Sequence, residues 1–340
     1  MRQSPQVTTD GSDSTGNRFD LMGFGETMVR LAAPRGLRLA EANLLELTIG
    51  GAESNVAVAL ASLGRRVAWV SALPRHPLGN RIATELQALG VDTSLVRWSD
   101  RGRVGTYFLE HGVAPRPARV YYDRAGSAIA LLSGRDIDPQ IVRYARALHL
   151  TGITPALGAG CAAICDALAS AAVDQGIPVV FDVNYRSRLW SPREARSGIE
   201  PLVQRASLLL CGQADAASIW GLHGDGEEIA ARLHDLCGAE CVVVTLGARG
   251  AVARRRDGRC VTSPALPVDT IDPVGAGDAF AAGFIDRWLD DPTDVAGALR
   301  AASALAALKM TVWGDHAAFS RAELDEAMAL FEQQGTDIDR

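Results

Sequence analysis

The chain has 340 residues, 48% of them apolar and 22% charged, enough to bury a sizeable core in one large α/β domain or two smaller ones. A net charge of −6 and a pI near 5.6, with no sustained basic run, exclude nucleic acid and anionic membrane as partners. No stretch reaches the apolar length of a membrane span, and six cysteines without Cys-x-x-Cys spacing suit free thiols in a cytoplasmic protein.

Residues 1–17 are dominated by small and polar side chains with no apolar h-region, and read as a disordered lead-in. Phe19–Phe24 is an apolar run that predicts an opening core strand. The Gly23-Phe24-Gly25 that closes it is followed by a strand-like pattern over Glu26–Ala33, not by the helix a dinucleotide fingerprint requires. Gly50-Gly51-Ala52-Glu53-Ser54-Asn55 predicts a glycine loop and polar cap before a helix over Val56–Leu63, stopped by Gly64. Such a loop is either a tight turn or a place where backbone approaches a polar ligand, with Asn55 projecting into it.

Val67–Leu73 predicts a strand and Asn80–Leu89 a helix. Extended pieces follow at Ser94–Trp98, Val104–Glu110 and Ala118–Tyr122. The last two alternate without a helix between them and suggest an antiparallel excursion from the main sheet. Strand and helix then alternate: Ala147–Thr151 with Gly160–Asp174, Val179–Asn184 with a helix after Pro192, Ser207–Cys211 with helices through Ala214–Leu236. Cys241–Leu246 leads into a hairpin, Ala251–Arg256 and Arg259–Thr262, turned at Asp257-Gly258. Helices over Ala276–Leu289, Val295–Met310 and Arg321–Gln333 close the chain. Repeated β-α units imply a mostly parallel sheet covered on both faces, with ligands beyond the carboxyl ends of its strands.

The most informative stretch is Asp272-Pro-Val-Gly275-Ala276-Gly277-Asp278, which runs into an apolar helix. Small residues leave the amides of a helix start uncovered, where unpaired donors and the helix dipole favour an anion. A carboxylate inside that turn, Asp278, suits a base beside a phosphoryl group. Other polar residues collect just after strands: Asp182, Asn184, Tyr185, Arg186 and Arg188, then Thr245 and Gly247. Tyr107, Tyr122 and Arg124 lie on the antiparallel excursion, placed to fold over the site. Arginine forks match a carboxylate, so Arg124 and Arg186 with two tyrosine hydroxyls suit a polyhydroxy acid.

Gly50-Gly51-Ala52-Glu53-Ser54-Asn55-Val56-Ala57 and Asp272-Pro273-Val274-Gly275-Ala276-Gly277-Asp278-Ala279-Phe280, in this order and spacing, resemble the two signatures of the ribokinase-like (phosphofructokinase B-type) carbohydrate kinases. The likeness extends over about Phe19 to Phe331. Tyr121–Ala128 and Asp182–Trp190 make the chain most similar to 2-keto-3-deoxygluconate kinases within that family. The resemblance implies a three-layer α/β/α sandwich over 18–335 with a small β-sheet lid from pieces around 26–48 and 92–125, followed by a short tail, 336–340.

It further implies ATP and Mg²⁺, with room for a monovalent cation such as K⁺, a sugar or sugar acid as acceptor, and a lid surface open to a homodimer. By the same resemblance Asp278 is the base and the backbone of Gly275, Ala276 and Gly277 the anion hole. Gly50, Gly51, Asn55, Tyr107, Tyr122, Arg124, Arg186, Asp278 and Asp315 would hold the sugar acid, and Asn184, Thr245, Gly247, Gly250, Gly275 and Gly277 the nucleotide. Where the family carries Asn-x-x-Glu, this chain has Gly212-Gln213-Ala214-Asp215, which leaves Asp215 alone to meet Mg²⁺ through water.

Overall fold

A computed structural model describes residues 18–113 and 115–337. The expectations for residues 1–17 and for the last three residues of the tail therefore lie outside the described residues. The strands are β1 (Leu21–Phe24), β2 (Met28–Ala32), β3 (Glu46–Gly50), β4 (Val67–Pro74), β5 (Val96–Ser99), β6 (Thr106–Glu110), β7 (Arg119–Asp123), β8 (Leu148–Thr151), β9 (Val179–Asp182), β10 (Leu208–Gly212), β11 (Cys241–Thr245), β12 (Ala251–Arg255) and β13 (Cys260–Ser263). The helices are α1 (Ala52–Ser62), α2 (Pro77–Ala88), α3 (Ala159–Asp174), α4 (Pro192–Val203), α5 (Gln213–Trp220), α6 (Gly226–Cys237), α7 (Ala276–Asp290), α8 (Val295–Met310) and α9 (Arg321–Asp337).

The main sheet runs β13-β12-β11-β10-β9-β8-β1-β4-β5, parallel throughout except for the β11-β12-β13 meander at one edge. Its central strands bury both faces, and successive side chains serve different helical layers. Val180, Leu208, Leu210 and Val243 pack with α1, α7 and α8, while Phe181, Leu209, Cys211 and Val244 pack with α3 to α6. The expected three-layer sandwich is thus present.

A second, four-stranded sheet, β3-β2-β6-β7, stands beyond the carboxyl end of the main sheet. β6 and β7 pair antiparallel as the alternation suggested, but β2 and β6 run parallel. One boundary needs correction: the segment near 92–99 was expected in the lid, yet β5 pairs parallel with β4 at the edge of the main sheet. The turn after α2 returns the chain to the main sheet, where Val96 joins the core; the small sheet begins only at β6. Among the described residues no helix is long and apolar enough to cross a membrane.

Candidate active site

α1 starts at Ala52, not at Val56, so Glu53, Ser54 and Asn55 belong to its first turn instead of a loop. Gly51 caps it, and a Cβ there would stand 2.0 Å from the Glu26 carbonyl oxygen; only glycine lets the two strand ends pass this closely. The Asn55 Oδ1 accepts the Gly51 amide at 3.2 Å, which aims Nδ2 across the cleft to Asp278 Oδ2, 2.7 Å away.

Asp278 is the third residue of α7, behind the cap Gly275. Gly275 has φ +84°, in the left-handed region, and a Cβ on it would meet the Asp315 carbonyl at 2.1 Å. A Cβ at Gly277, by contrast, would meet no protein atom within 4 Å, so the bare backbone there faces open space beside the first amides of the helix. Those amides have no intrahelical acceptor and carry the positive end of the helix dipole. Burial pushes the Asp278 carboxyl up to about 6, opposed by its bond from Asn55 and by the charge of Arg186. A carboxyl titrating in this range can hold and release a proton near neutral pH.

One cavity is lined by Gly50, Gly51, Asn55, Tyr107, Tyr122, Arg124, Arg186, Gly275, Asp278 and Asp315. All the residues expected at the sugar site are therefore brought together, from the small sheet and from the loops and helix starts beside it, out of five separate stretches of the chain. The two arginines differ in state. Arg124 donates through Nε at 2.8 Å, and through its terminal nitrogen, to Glu26 Oε2, and lies over the Tyr122 ring at 5.6 Å. Arg186 makes no ion pair or hydrogen bond through its side chain among the described residues. Arg188, next on that loop, lies over the Tyr121 ring at 5.7 Å and ties the small sheet to the end of β9.

Of the residues expected at the nucleotide, Gly275 lines this cavity, while Asn184, Thr245, Gly247 and Gly250 lie at the neighbouring strand ends and do not. Thr245 ends β11 in register with Gly212 at the end of β10, and Gly247 and Gly250 bracket the single 3₁₀ turn that follows. Asp215, in the first turn of α5, accepts the Tyr185 amide at 3.2 Å. Asn184, with φ +38°, donates its side-chain amide to Asp182 at 3.1 Å and lies near enough to Asp278 to favour its ionised form, so it sits between the two groups of residues.

Several functional-looking residues were not singled out from sequence. Glu53 is fully buried, accepts the hydroxyls of Thr151 at 2.8 Å and Thr154 at 2.6 Å, and burial pushes it up to about 7 against those bonds. Arg30, on β2, reaches Asp315 and Asp272 at 2.6 Å each, and Tyr107 donates to the other Asp315 oxygen at 2.6 Å. A lone arginine inside Met28-Val29-Arg30-Leu31-Ala32 was the available signal, since a charge at an otherwise apolar strand position needs a buried partner.

A model of the pfkB family of carbohydrate kinases matches residues 18–321. The chain belongs to that family. It is 42% identical over 310 residues to a 2-dehydro-3-deoxygalactonokinase of Haloferax volcanii, covering 91% of this chain and 96% of that one. It is 30% identical to a 2-dehydro-3-deoxygluconokinase of Thermoproteus tenax, covering 91% and 94%. The crystal structure of a 2-dehydro-3-deoxygluconokinase of Thermotoga maritima superimposes with a TM-score of 0.87 at 32% identity, over 92% of this chain and 99% of that one. As a family member the chain is a phosphotransferase acting on a sugar hydroxyl, built on the ribokinase-like fold.

Proposed function

We propose that this kinase transfers the γ-phosphate of ATP to a hydroxyl of a small sugar acid of the 2-keto-3-deoxyhexonate class. The observation that carries the reading is the meeting, in one cavity, of Asp278 at the start of α7 with Arg186, whose guanidinium feels the charge of Asp278 but makes no side-chain hydrogen bond or ion pair among the described residues. A neutral sugar needs no fixed positive charge, whereas a carboxylate does. The names of the Haloferax volcanii and Thermoproteus tenax relatives support the same class.

In this reading the sugar acid enters beneath the small sheet and its carboxylate meets Arg186, with Arg124 held alongside by Glu26. Tyr107, Tyr122, Gly50, Gly51, Asn55 and Asp315 fix the rest of the acceptor. Asp278 takes the proton of the attacking hydroxyl as the oxygen bonds to the γ-phosphorus and ADP leaves. The amides of Gly275, Ala276 and Gly277 meet the charge spread over the transferring group. Asn184, Thr245, Gly247 and Gly250 hold the nucleotide at the ends of β9 and β11. The small sheet over the cavity excludes water that would otherwise accept the phosphoryl group.

The carboxylates fit Mg²⁺ delivered with the nucleotide. Asp182 is pushed up to about 7 by burial and then by its like-charged neighbours Asp278 and Asp215, an excess of negative charge that a dication relieves. Among the described residues no three His, Cys, Asp or Glu side chains form a metal cage, in keeping with a metal held by phosphates, waters and one or two carboxylates. Asp215, with Asp182 beside it, would meet that ion through water. Bound there, it would neutralise phosphate charge.

The test is ADP release on a panel of 2-dehydro-3-deoxygluconate, its C4 epimer 2-dehydro-3-deoxygalactonate, 5-dehydro-2-deoxygluconate and fructose. One of the first two is expected to give the highest kcat/KM; fructose as the best acceptor sinks the acid reading. Arg186→Ala should raise KM for the acid about 10- to 100-fold, the worth of one charge-assisted hydrogen bond. Its effect on a neutral sugar should be much smaller. Equal losses on both would assign Arg186 to something other than the carboxylate.

A further inference from the structure

Behind the glycine turn lies a buried ionic cluster that the transfer chemistry does not itself use. Lys309, in the last turn of α8, is 0% exposed. A lysine at a helix C-terminus ordinarily carries its ammonium to water on a flexible stem. Here Nζ instead points inward and donates to two backbone carbonyls, Asp272 O at 3.0 Å and Val312 O at 3.3 Å. The first belongs to the segment leading into Gly275, the second to the loop that ends at Asp315.

Around it the charges balance, two against two. Arg30 pairs with both carboxylates, Asp272 and Asp315, each at 2.6 Å. Asp272 further accepts the amides of Val274 at 3.1 Å and Gly314 at 3.3 Å. The loop of Gly314 and Asp315 is the surface on which Gly275 rests, its α-carbon face against the Asp315 carbonyl. Burial lowers the Lys309 ammonium from its ordinary range while the charge of Asp272 resists that shift, so its tie to the cluster is electrostatic as well as geometric.

We propose that the Lys309 ammonium is a built-in cation that clamps the approach to the glycine turn against the 311–315 loop, and that the kinase therefore needs no added monovalent metal ion. The carbonyl oxygens such an ion would bind at this place are already held by Nζ. Lys309 is a positioning residue: it touches neither sugar nor nucleotide and acts by fixing where the amides of Gly275, Ala276 and Gly277 point. The inference rests on the kinase activity, not on which sugar acid is used.

The experiment compares kcat of the parent enzyme in KCl, NaCl and N-methyl-D-glucamine chloride at equal ionic strength, with ATP as its Tris salt and one accepted sugar throughout. The three rates are expected to agree within about twofold, since screening is held constant. A wrong choice of sugar lowers all three alike, so it cannot imitate a cation effect. Lys309→Met should lose kcat on the order of 10²-fold with little change in sugar KM, the scale of a small misplacement of aligned groups. NH₄⁺ or K⁺, but not the bulky N-methyl-D-glucamine ion, should restore part of it. Strong stimulation of the parent by K⁺, a variant with parental kcat, or a loss equal in every salt would each overturn the proposal. If Lys309→Met does not fold, the comparison on the parent still decides.

Discussion

Replacing Asp278 by asparagine is expected to lower kcat on the order of 10²–10⁴-fold while leaving the KM values for sugar and nucleotide within a few-fold, as for loss of a general base. The substitution keeps size and shape, and the new amide oxygen can still accept the Asn55 Nδ2 bond that now runs 2.7 Å to Asp278. What it removes is the oxygen able to accept a proton. The sign of the pH dependence follows from the carboxyl lying near 6 in the folded enzyme: the ionised, working form is present above that range and lost as pH falls through it. The parent's kcat/KM should therefore decline on the acid side of about 6, measured by coupled ADP release. Burial and then the charge of Asp278 push Asp182 up to about 7, so the limb reports both carboxyls and not one residue alone. In Asp278→Asn that limb should flatten, because the remaining rate no longer waits on a base. Near-parental turnover, or an unchanged acid limb, would remove Asp278 from the mechanism.

The parts of the site legible in the sequence are those whose chemistry is local. The Gly275-Ala276-Gly277-Asp278 turn needs only neighbouring residues to make amides and a carboxylate converge, and α7 begins at Ala276 as its pattern suggested. The mostly parallel sheet with helices on both faces followed from the alternation of strand and helix, because each parallel strand needs a crossover to return. The illegible parts depend on partners distant in the chain. Arg30 meets Asp272 across 242 positions, and nothing near Arg30 names that partner. Nothing in the sequence around Lys309 distinguishes it from a solvated helix-end cation; only its place behind the glycine turn makes it a buried one. Glu53 read as a capping-turn residue because the helix start was set at Val56 instead of Ala52. Ser94–Trp98 could not be assigned to a sheet from alternation, since five extended residues suit either edge and only pairing with β4 decides.

Arg30→Met is expected to cost about 3–5 kcal/mol, the typical penalty for removing one partner from a buried ionic group. The side chains concerned are almost dry: 3% exposed for Arg30, 1% for Asp272 and 6% for Asp315. Methionine restores most of the apolar stem, so lost packing is minor beside two carboxylates left with one fewer cation. At roughly 2 °C per kcal/mol for a chain this large, the melting temperature should fall by about 6–10 °C. The second arm separates charge from shape. Asp315→Asn keeps a side-chain oxygen to accept the Tyr107 hydroxyl, now at 2.6 Å, but no longer needs a counter-charge. Combined with Arg30→Met it should therefore cost less than the two single losses added together, since each change removes part of the reason the other hurts. Strict additivity would mean that Arg30 holds the small sheet to the core by packing alone. A double loss smaller than that sum would mean that this sheet is pinned over the cavity by charge, at Asp315, the same residue whose backbone carbonyl supports Gly275.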